Sequence, residues 1–481
     1  MPNTLAYVML AIWPLVIWQL FLRLPPGRAL IWSVLSAYLI LPSYPARFDF
    51  PLMPALDKVT LPDLAILVCV FFMVPRKLRL LPQSPLAKAL VLTFIFSPIL
   101  TVLTNPEPLH FHFGEVRGLI LQDAIALPIT QFLSLIGFLL ARNLLTETDD
   151  QRDLLLALLI GGMLYSLPML LEVRLSPQLN NWVYGYYQHL FSQSVRGDGY
   201  RPIVFLYHGI WVAFFTLSAL VAALGLWKSA SYPRNLKYLL MSGYLAVILV
   251  LCRTLASMVY GLFVGLAVIF LKRRAQIWLA MVLAVIALTY PLLKGVDLVP
   301  SQTILAQAEK ISTERAASLK FRLDNEDILL ERANEKPLFG WGIWGRNHEH
   351  DPATGQIRTV TDGRWVLTLG VFGWVGFLAE FGLIALPIFL IAAEVRRRAL
   401  VEARNRRLRR VVELAEFSPY LGPLCLLLAV NLFDMIPNAT ITPLTWLISG
   451  ALLGHAEKLG QMRDDTSKEK ADRLGLRTIL K

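Results

Sequence analysis

Apolar blocks nearly free of charge recur along almost the whole chain, and they leave few folds open. They lie near 5–22, 28–42, 61–75, 86–103, 123–141, 154–172, 203–226, 236–251, 254–271, 276–293, 372–394, 417–434 and 442–456. A hydrocarbon core of roughly 30 Å takes about 20 helical residues to cross, fewer where flanking side chains snorkel. A chain of 481 residues that is 56% hydrophobic and only 17% charged carries more apolar surface than a water-soluble core can hide, so lipid is its solvent. The in-and-out alternation of barrel strands is absent from the sequence, which leaves helices to satisfy the backbone. The expected fold is an all-α polytopic membrane protein with about 13 transmembrane helices, one for each block.

The net charge of +12 would point to nucleic acid in a soluble protein. Here much of it lies in short basic runs directly after apolar blocks, which is the positive-inside pattern, and no nucleic-acid partner is expected. Arg76-Lys77-Leu78-Arg79, Lys272-Arg273-Arg274, Arg396-Arg397-Arg398 and Arg404 through Arg410 are therefore assigned to the cytoplasm. The alternation then fits an odd number of spans with the C-terminal tail inside. It places segments 43–60, 104–122, 173–202 and 294–371 outside. This gives a single transmembrane domain over 1–456, including the extracytoplasmic loop 294–371, and a charged cytoplasmic tail over 457–481. Cys69, Cys252 and Cys425 sit in or beside apolar stretches, which argues for packing rather than disulfides or a thiolate metal site. The first block has no basic n-region or small-residue cleavage site and reads as a retained helix.

The 294–371 loop is the outlier, since a connection longer than about 12–15 residues is usually functional or disordered and this one is not low-complexity. From Gln302 to Asn334 its charges are interspersed with Ala and Leu as on an amphipathic helix, expected to lie on the membrane surface. Gly340-Trp341-Gly342-Ile343-Trp344-Gly345 matches G-x-G-x-x-G, but no strand precedes it and no helix pattern follows, so nucleotide binding is rejected. Those glycines suit a sharp turn, with Trp341 and Trp344 either anchored at the membrane interface or stacked on a sugar. His348, Glu349, His350 and Asp351 have ligand chemistry but lack a third, distant ligand. No metal is expected there, and His348 and His350 are kept as substrate hydrogen bonders or solvated loop residues.

Arginines at the outer ends of apolar blocks say more. Arg201 opens a block after Arg196-Gly-Asp-Gly-Tyr, Arg253 lies between two blocks, and Arg322 precedes the Gly/Trp turn. The positive-inside bias disfavours all three on that side. A guanidinium at the membrane edge is a bidentate phosphate binder that never loses its charge, and it is costly unless something anionic pairs with it. The alternative is an internal salt bridge to Asp198, Glu172 or Asp434.

At this point the chain resembles the bacterial O-antigen ligase and Wzy-type polysaccharide polymerase superfamily, polytopic glycosyltransferases with a GT-C-like architecture that use undecaprenyl-diphosphate-linked sugars. The resemblance runs from about Arg196 to Gly376. It rests on Arg322, then Pro337-Leu-Phe-Gly340-Trp-Gly342, then Asp362-Gly363-Arg364-Trp365-Val366, then Gly373-Trp-Val-Gly376. Arg201 to His208-Gly209 and Cys252-Arg253-Thr254 match two further arginine positions. Where the family carries a His, this chain has Asp362. A carboxylate can serve as a general base, yet Asp362 can equally be structural, with His348, His350 or no protein base in that role.

The resemblance implies glycosyl transfer at the outer face of the inner membrane without cofactor or metal. Arg201 and Arg253 would hold the diphosphate and Asp362 would take the acceptor proton. Arg322, His208, Arg364, Trp341, Trp344 and Trp365 would bind substrate. Implied partners are an undecaprenyl-diphosphate-linked oligosaccharide, the bilayer, and chain-length regulator and export proteins. A polymerase extending a lipid-linked repeat unit is the favoured expectation. A ligase that delivers the glycan to lipid A–core or another acceptor shares the donor site. A flippase or exporter of lipid-linked glycans is the reading from another class, though it predicts charges lining a midplane cavity rather than clustered at the outer ends of spans.

Overall fold

Helices satisfy every backbone N–H and C=O internally, the condition lipid imposes, and 71% of the structure is helical. A computed structural model describes residues 1–50, 54–75, 78–311, 313–407 and 417–473. Its helices are α1 (Thr4–Arg23), α2 (Pro26–Ile40), α3 (Thr60–Met73), α4 (Pro85–Leu103), α5 (Leu121–Leu144), α6 (Thr148–Leu175), α7 (Leu179–Tyr184) and α8 (Gly209–Ser229). There follow α9 (Arg234–Leu251), α10 (Leu255–Phe270), α11 (Arg273–Gly295), α12 (Ser301–Ile311), α13 (Thr313–Asn334), α14 (Arg364–Arg407), α15 (Leu421–Asp434) and α16 (Pro443–Arg473). Sheet among the described residues is limited to two hairpins, β1 (Leu109–Phe111) with β2 (Gly114–Val116) and β3 (Val195–Arg196) with β4 (Gly199–Tyr200).

Every apolar block falls wholly or largely within a helix. Among the described residues eight helices, α1, α4, α5, α6, α8, α9, α11 and α14, are long and apolar enough to cross a membrane, and α3, α10 and α15 are shorter apolar helices. The expected count of about 13 is therefore met only down to eight by length and composition. Helix α2 has 15 residues, α3 and α15 have 14 each and α10 has 16, all below the usual span. Helix α8 is the centre of the bundle, with 89% of its apolar stretch buried, against α6, α9, α10 and α15.

The connections sort into two ends. At one end Arg142 pairs with Glu457 at 2.9 Å, Arg274 with Glu402 at 2.5 Å, Lys228 donates to the Val268 carbonyl at 2.6 Å, and Arg273 donates to that of Phe417. The basic runs gather there, although Arg76, Lys77, Arg409 and Arg410 lie outside the described residues. Helix α16 runs on through the charged stretch from 457 as far as Arg473, and 474–481 lie outside the described residues.

At the other end the loops between α2 and α3, α4 and α5, α6 and α8, and α11 and α14 interlock. Lys58 donates to the Phe205 carbonyl at 2.9 Å and Lys336 to that of Thr104 at 2.9 Å. The single amphipathic helix expected over 302–334 is two helices, α12 and α13. Helix α13 packs on α14, burying a stripe of Asn325, Glu326, Leu329, Leu330 and Ala333.

Helix α14 is broken at Gly373, whose φ of 66° and ψ of −169° lie outside helical space. The Gly/Trp turn docks into that break: Trp341 N–H donates to the Gly370 carbonyl at 2.8 Å, Gly342 N–H to that of Val371 at 2.9 Å and Trp374 N–H to that of Pro337 at 2.7 Å. A Cβ on Gly373 would lie 2.3 Å from the Leu338 oxygen, and one on Gly340 2.5 Å from the Val371 carbonyl. The two glycine segments are thus halves of one joint, which swings Arg364 to Phe372 over the end of the bundle.

Candidate functional site

The site is built on irregular backbone between α7 and α8. Buried irregular backbone must find partners for its polar groups. Glu172, 2% exposed near the end of α6, accepts from the N–H groups of Ile203 at 2.7 Å, Val204 at 2.8 Å and Leu179 at 3.0 Å. Gln188 donates to the carbonyls of Val204 and Leu206, each at 2.9 Å, and Tyr165 accepts from Phe205 N–H at 3.0 Å. Glu172 is thereby committed to backbone, and Asp434 is committed to Thr440 at 2.8 Å and Asn438 at 2.9 Å. These two carboxylates, the expected salt-bridge partners for a nearby arginine, are spent elsewhere.

Arg201 is left without one. It is 6% exposed, its Nε has no hydrogen-bond partner, and among the described residues no carboxylate lies within salt-bridge distance. Its aliphatic stem lies over Gly209, the first residue of α8, where a Cβ would sit 2.0 Å from Arg201 Cδ. Burial, with the charges of Arg196 and Arg322, pulls the guanidinium down to about 10.

Arg201 lines a cavity of about 660 Å³ together with Arg196, His208, Arg322 and Asp362. Arg322 projects from α13, and its Nε lies 3.4 Å from Asp362 Oδ2, each side chain about a third exposed. The Val360 N–H donates to Asn325 Oδ1 at 2.9 Å, tying the segment before Asp362 to α13. After Asp362, the Arg364 N–H donates to the Met435 carbonyl at 2.9 Å, so Asn438 and Thr440 of the α15–α16 turn also face the cavity.

Two histidines complete the wall. His208 caps α8, its Nδ1 accepting from Ile210 N–H at 3.1 Å, with Nε2 3.2 Å from Gln193 Oε1. Burial, then the Arg201 charge, lowers His208 to about 3, so the ring is neutral with its proton on Nε2 toward Gln193. His189 lies 4.7 Å away between ring centroids, is also lowered by burial, and accepts from Leu190 N–H through Nδ1. Three guanidiniums thus face one carboxylate and two neutral imidazoles.

The other expected residues lie apart from this cavity. Arg253 sits just past α9 with a left-handed φ of 49°, and its guanidinium donates to the Arg196 carbonyl at 2.5 Å, bracing the β3–β4 hairpin that presents Arg196. Arg364 is bound to the buried Glu380 at 2.6 Å, and Trp365, 0% exposed, packs on Tyr290. Trp341 is sandwiched under Arg332 at 3.5 Å and Lys336 at 4.6 Å, and Trp344 is exposed beneath Arg117 at 4.5 Å. His348 bonds Thr359 at 3.1 Å and the His350 ring packs tilted against Phe111, 5.2 Å between centroids. Among the described residues no cluster of three or more His, Cys, Asp and Glu side chains could hold a metal.

Sequence reading passed over His189, Gln193, Arg196, Asn438 and Thr440. Arg196 carries the same disfavoured-side signal as Arg201. The others carry none, because only the folding of three loops onto α13 brings them together. The chain matches no protein-family model and no curated protein.

Proposed function

We propose that this chain is a polysaccharide polymerase, transferring a growing glycan from undecaprenyl diphosphate to a lipid-linked repeat unit at the outer face of a bacterial inner membrane. The observation that carries the reading is Arg201, a buried guanidinium without a carboxylate, lining a cavity with Arg196 and Arg322. Burying an unpaired charge costs several kcal/mol, and a ligand anion offsets that cost. A diphosphate brings charge enough for three guanidiniums and has the oxygen geometry their planar forks match.

In the proposed reaction the acceptor hydroxyl attacks the anomeric carbon, the carbon–oxygen bond to diphosphate breaks, and the electron pair leaves with the phosphate. Arg201, Arg196 and Arg322 stabilise the charge developing on that leaving oxygen, which is the role a metal plays in other glycosyl transfers. Asp362 takes the hydroxyl proton. Displacement in one step inverts the anomeric centre. Arg253 acts through the hairpin as a positioning residue for Arg196, and the exposed Trp344 is offered to the glycan. In this reading all thirteen apolar helices cross the membrane, with the cavity in the periplasm where chain-length regulator and export proteins meet it.

The test is a nanodisc assay with a lipid-diphosphate-linked repeat unit from the host. A ladder of longer glycans is expected, with Arg201→Ala slowing it about 10²- to 10³-fold, the usual effect of removing one charge-stabilising donor. Substrate left unextended yet moved between leaflets would replace the enzyme with a transporter. Extension only when a lipid A–core acceptor is added would make the protein a ligase.

A further inference from the structure

The cavity holds one carboxylate, and that carboxylate is already engaged. Asp362 meets Arg322 through a single contact at 3.4 Å between side chains about a third exposed. That is neither bidentate nor buried, so it is a weak hold, one that exposed pairs of this kind give up readily. Arg196, Arg201, Arg322, His189, His208 and Tyr207 are the other titratable groups on the wall, and among the described residues only Arg322 is paired with Asp362. A carboxylate oxygen held against a guanidinium is turned away from an incoming hydroxyl.

We propose that Arg322 keeps Asp362 inactive until an anionic donor enters, and that the donor diphosphate draws Arg322 away and so releases the base. This rests on the cavity being the donor site proposed above. Donor binding then precedes proton removal. With Arg322 on the phosphate, Asp362 accepts the acceptor hydroxyl's proton as the new glycosidic bond forms and the bond to diphosphate breaks. Without donor, the same carboxylate stays spent on Arg322, which guards the site against activating water.

Equilibrium binding of farnesyl diphosphate, a sugar-free polyprenyl diphosphate, to the full chain in nanodiscs tests this without turnover. The wild type is expected to bind, and Arg201→Ala to weaken binding at least about tenfold. Asp362→Asn and Asp362→Ser should each bind about 2- to 5-fold tighter, the measure of a weak exposed pair no longer competing for Arg322. In an Arg322→Gln background the same Asp362 changes should tighten nothing. Tightening that persists in that background means plain charge repulsion and overturns the gate, as does an Asp362→Asn protein that binds no better than wild type while Arg201→Ala still weakens. A wild type that fails to bind the probe overturns the donor site itself.

Discussion

Arg201 is the residue on which the site turns, and its position depends on having no side chain opposite it. The stem fills the space over Gly209, so Gly209→Ala must push the guanidinium out although it removes no charge and favours α8. We expect Gly209→Ala to weaken farnesyl diphosphate binding severalfold with unchanged helicity; unchanged binding would mean that Arg201 is not the anchor. Glu326 gives a second residue-scale expectation. It is 6% exposed, accepts from Tyr290 at 3.0 Å, and burial pushes it up from 4.5 to about 7. Between those values the folded protein holds a proton that the unfolded chain has released. Its contribution is therefore fully present below pH 4.5 and is lost as pH rises through about 7, by up to about 3 kcal/mol. Glu326→Gln should flatten the fall in melting temperature across that window, and an unaltered slope would exclude Glu326 as its source. The sequence marks Gly209 only as the end of a motif and Glu326 not at all, because a close approach and a buried carboxyl exist only once α13 and the α7–α8 connection are in place.

The joint in α14 is the element that turns a row of spans into a site. Gly373 holds a backbone conformation open almost only to glycine, and the Gly340 turn fills the break it makes. Gly373→Ala should cost about 1–3 kcal/mol and free the 364–372 segment that follows Asp362. Thermal unfolding in detergent reads this against Gly243→Ala in α9, where a Cβ meets nothing within 4 Å. Equal melting of the two variants would dismiss the joint. The pairing of Pro337-Leu-Phe-Gly340 with Gly373-Trp-Val-Gly376 was legible as two motifs in order. Their mutual docking was not, since backbone hydrogen bonds between segments leave no trace in residue type. The same limit holds for Arg364 and Trp365, to which the resemblance gave substrate contact: the helical turn that starts there places them against Glu380 and Tyr290.

For the molecule as a whole, charge asymmetry and fold agree on which loops share an end. The apolar blocks predicted the helices, and the basic runs predicted the end where Arg142, Lys228, Arg273 and Arg274 lie. Span length was less legible, because blocks continue into irregular buried backbone: the block read as 203–226 begins as helix only at Gly209. In the proposed reading, which follows the positive-inside bias, the basic end lies in the cytoplasm and the cavity outside. All three cysteines are buried, so an engineered thiol can report sidedness without removing them. Ala353 is exposed in the loop at the cavity end, and Ser231 is exposed between α8 and α9 at the basic end. In intact spheroplasts a membrane-impermeant maleimide should label Ala353→Cys at once and Ser231→Cys only after permeabilisation. The reverse pattern would put the arginine cavity in the cytoplasm, where a free nucleotide-linked donor is the available anion and a lipid-linked donor displayed outside could not reach Arg201. Labelling of both from outside would mean that one of the spans between them fails to cross, and the short α10 would be the first to examine.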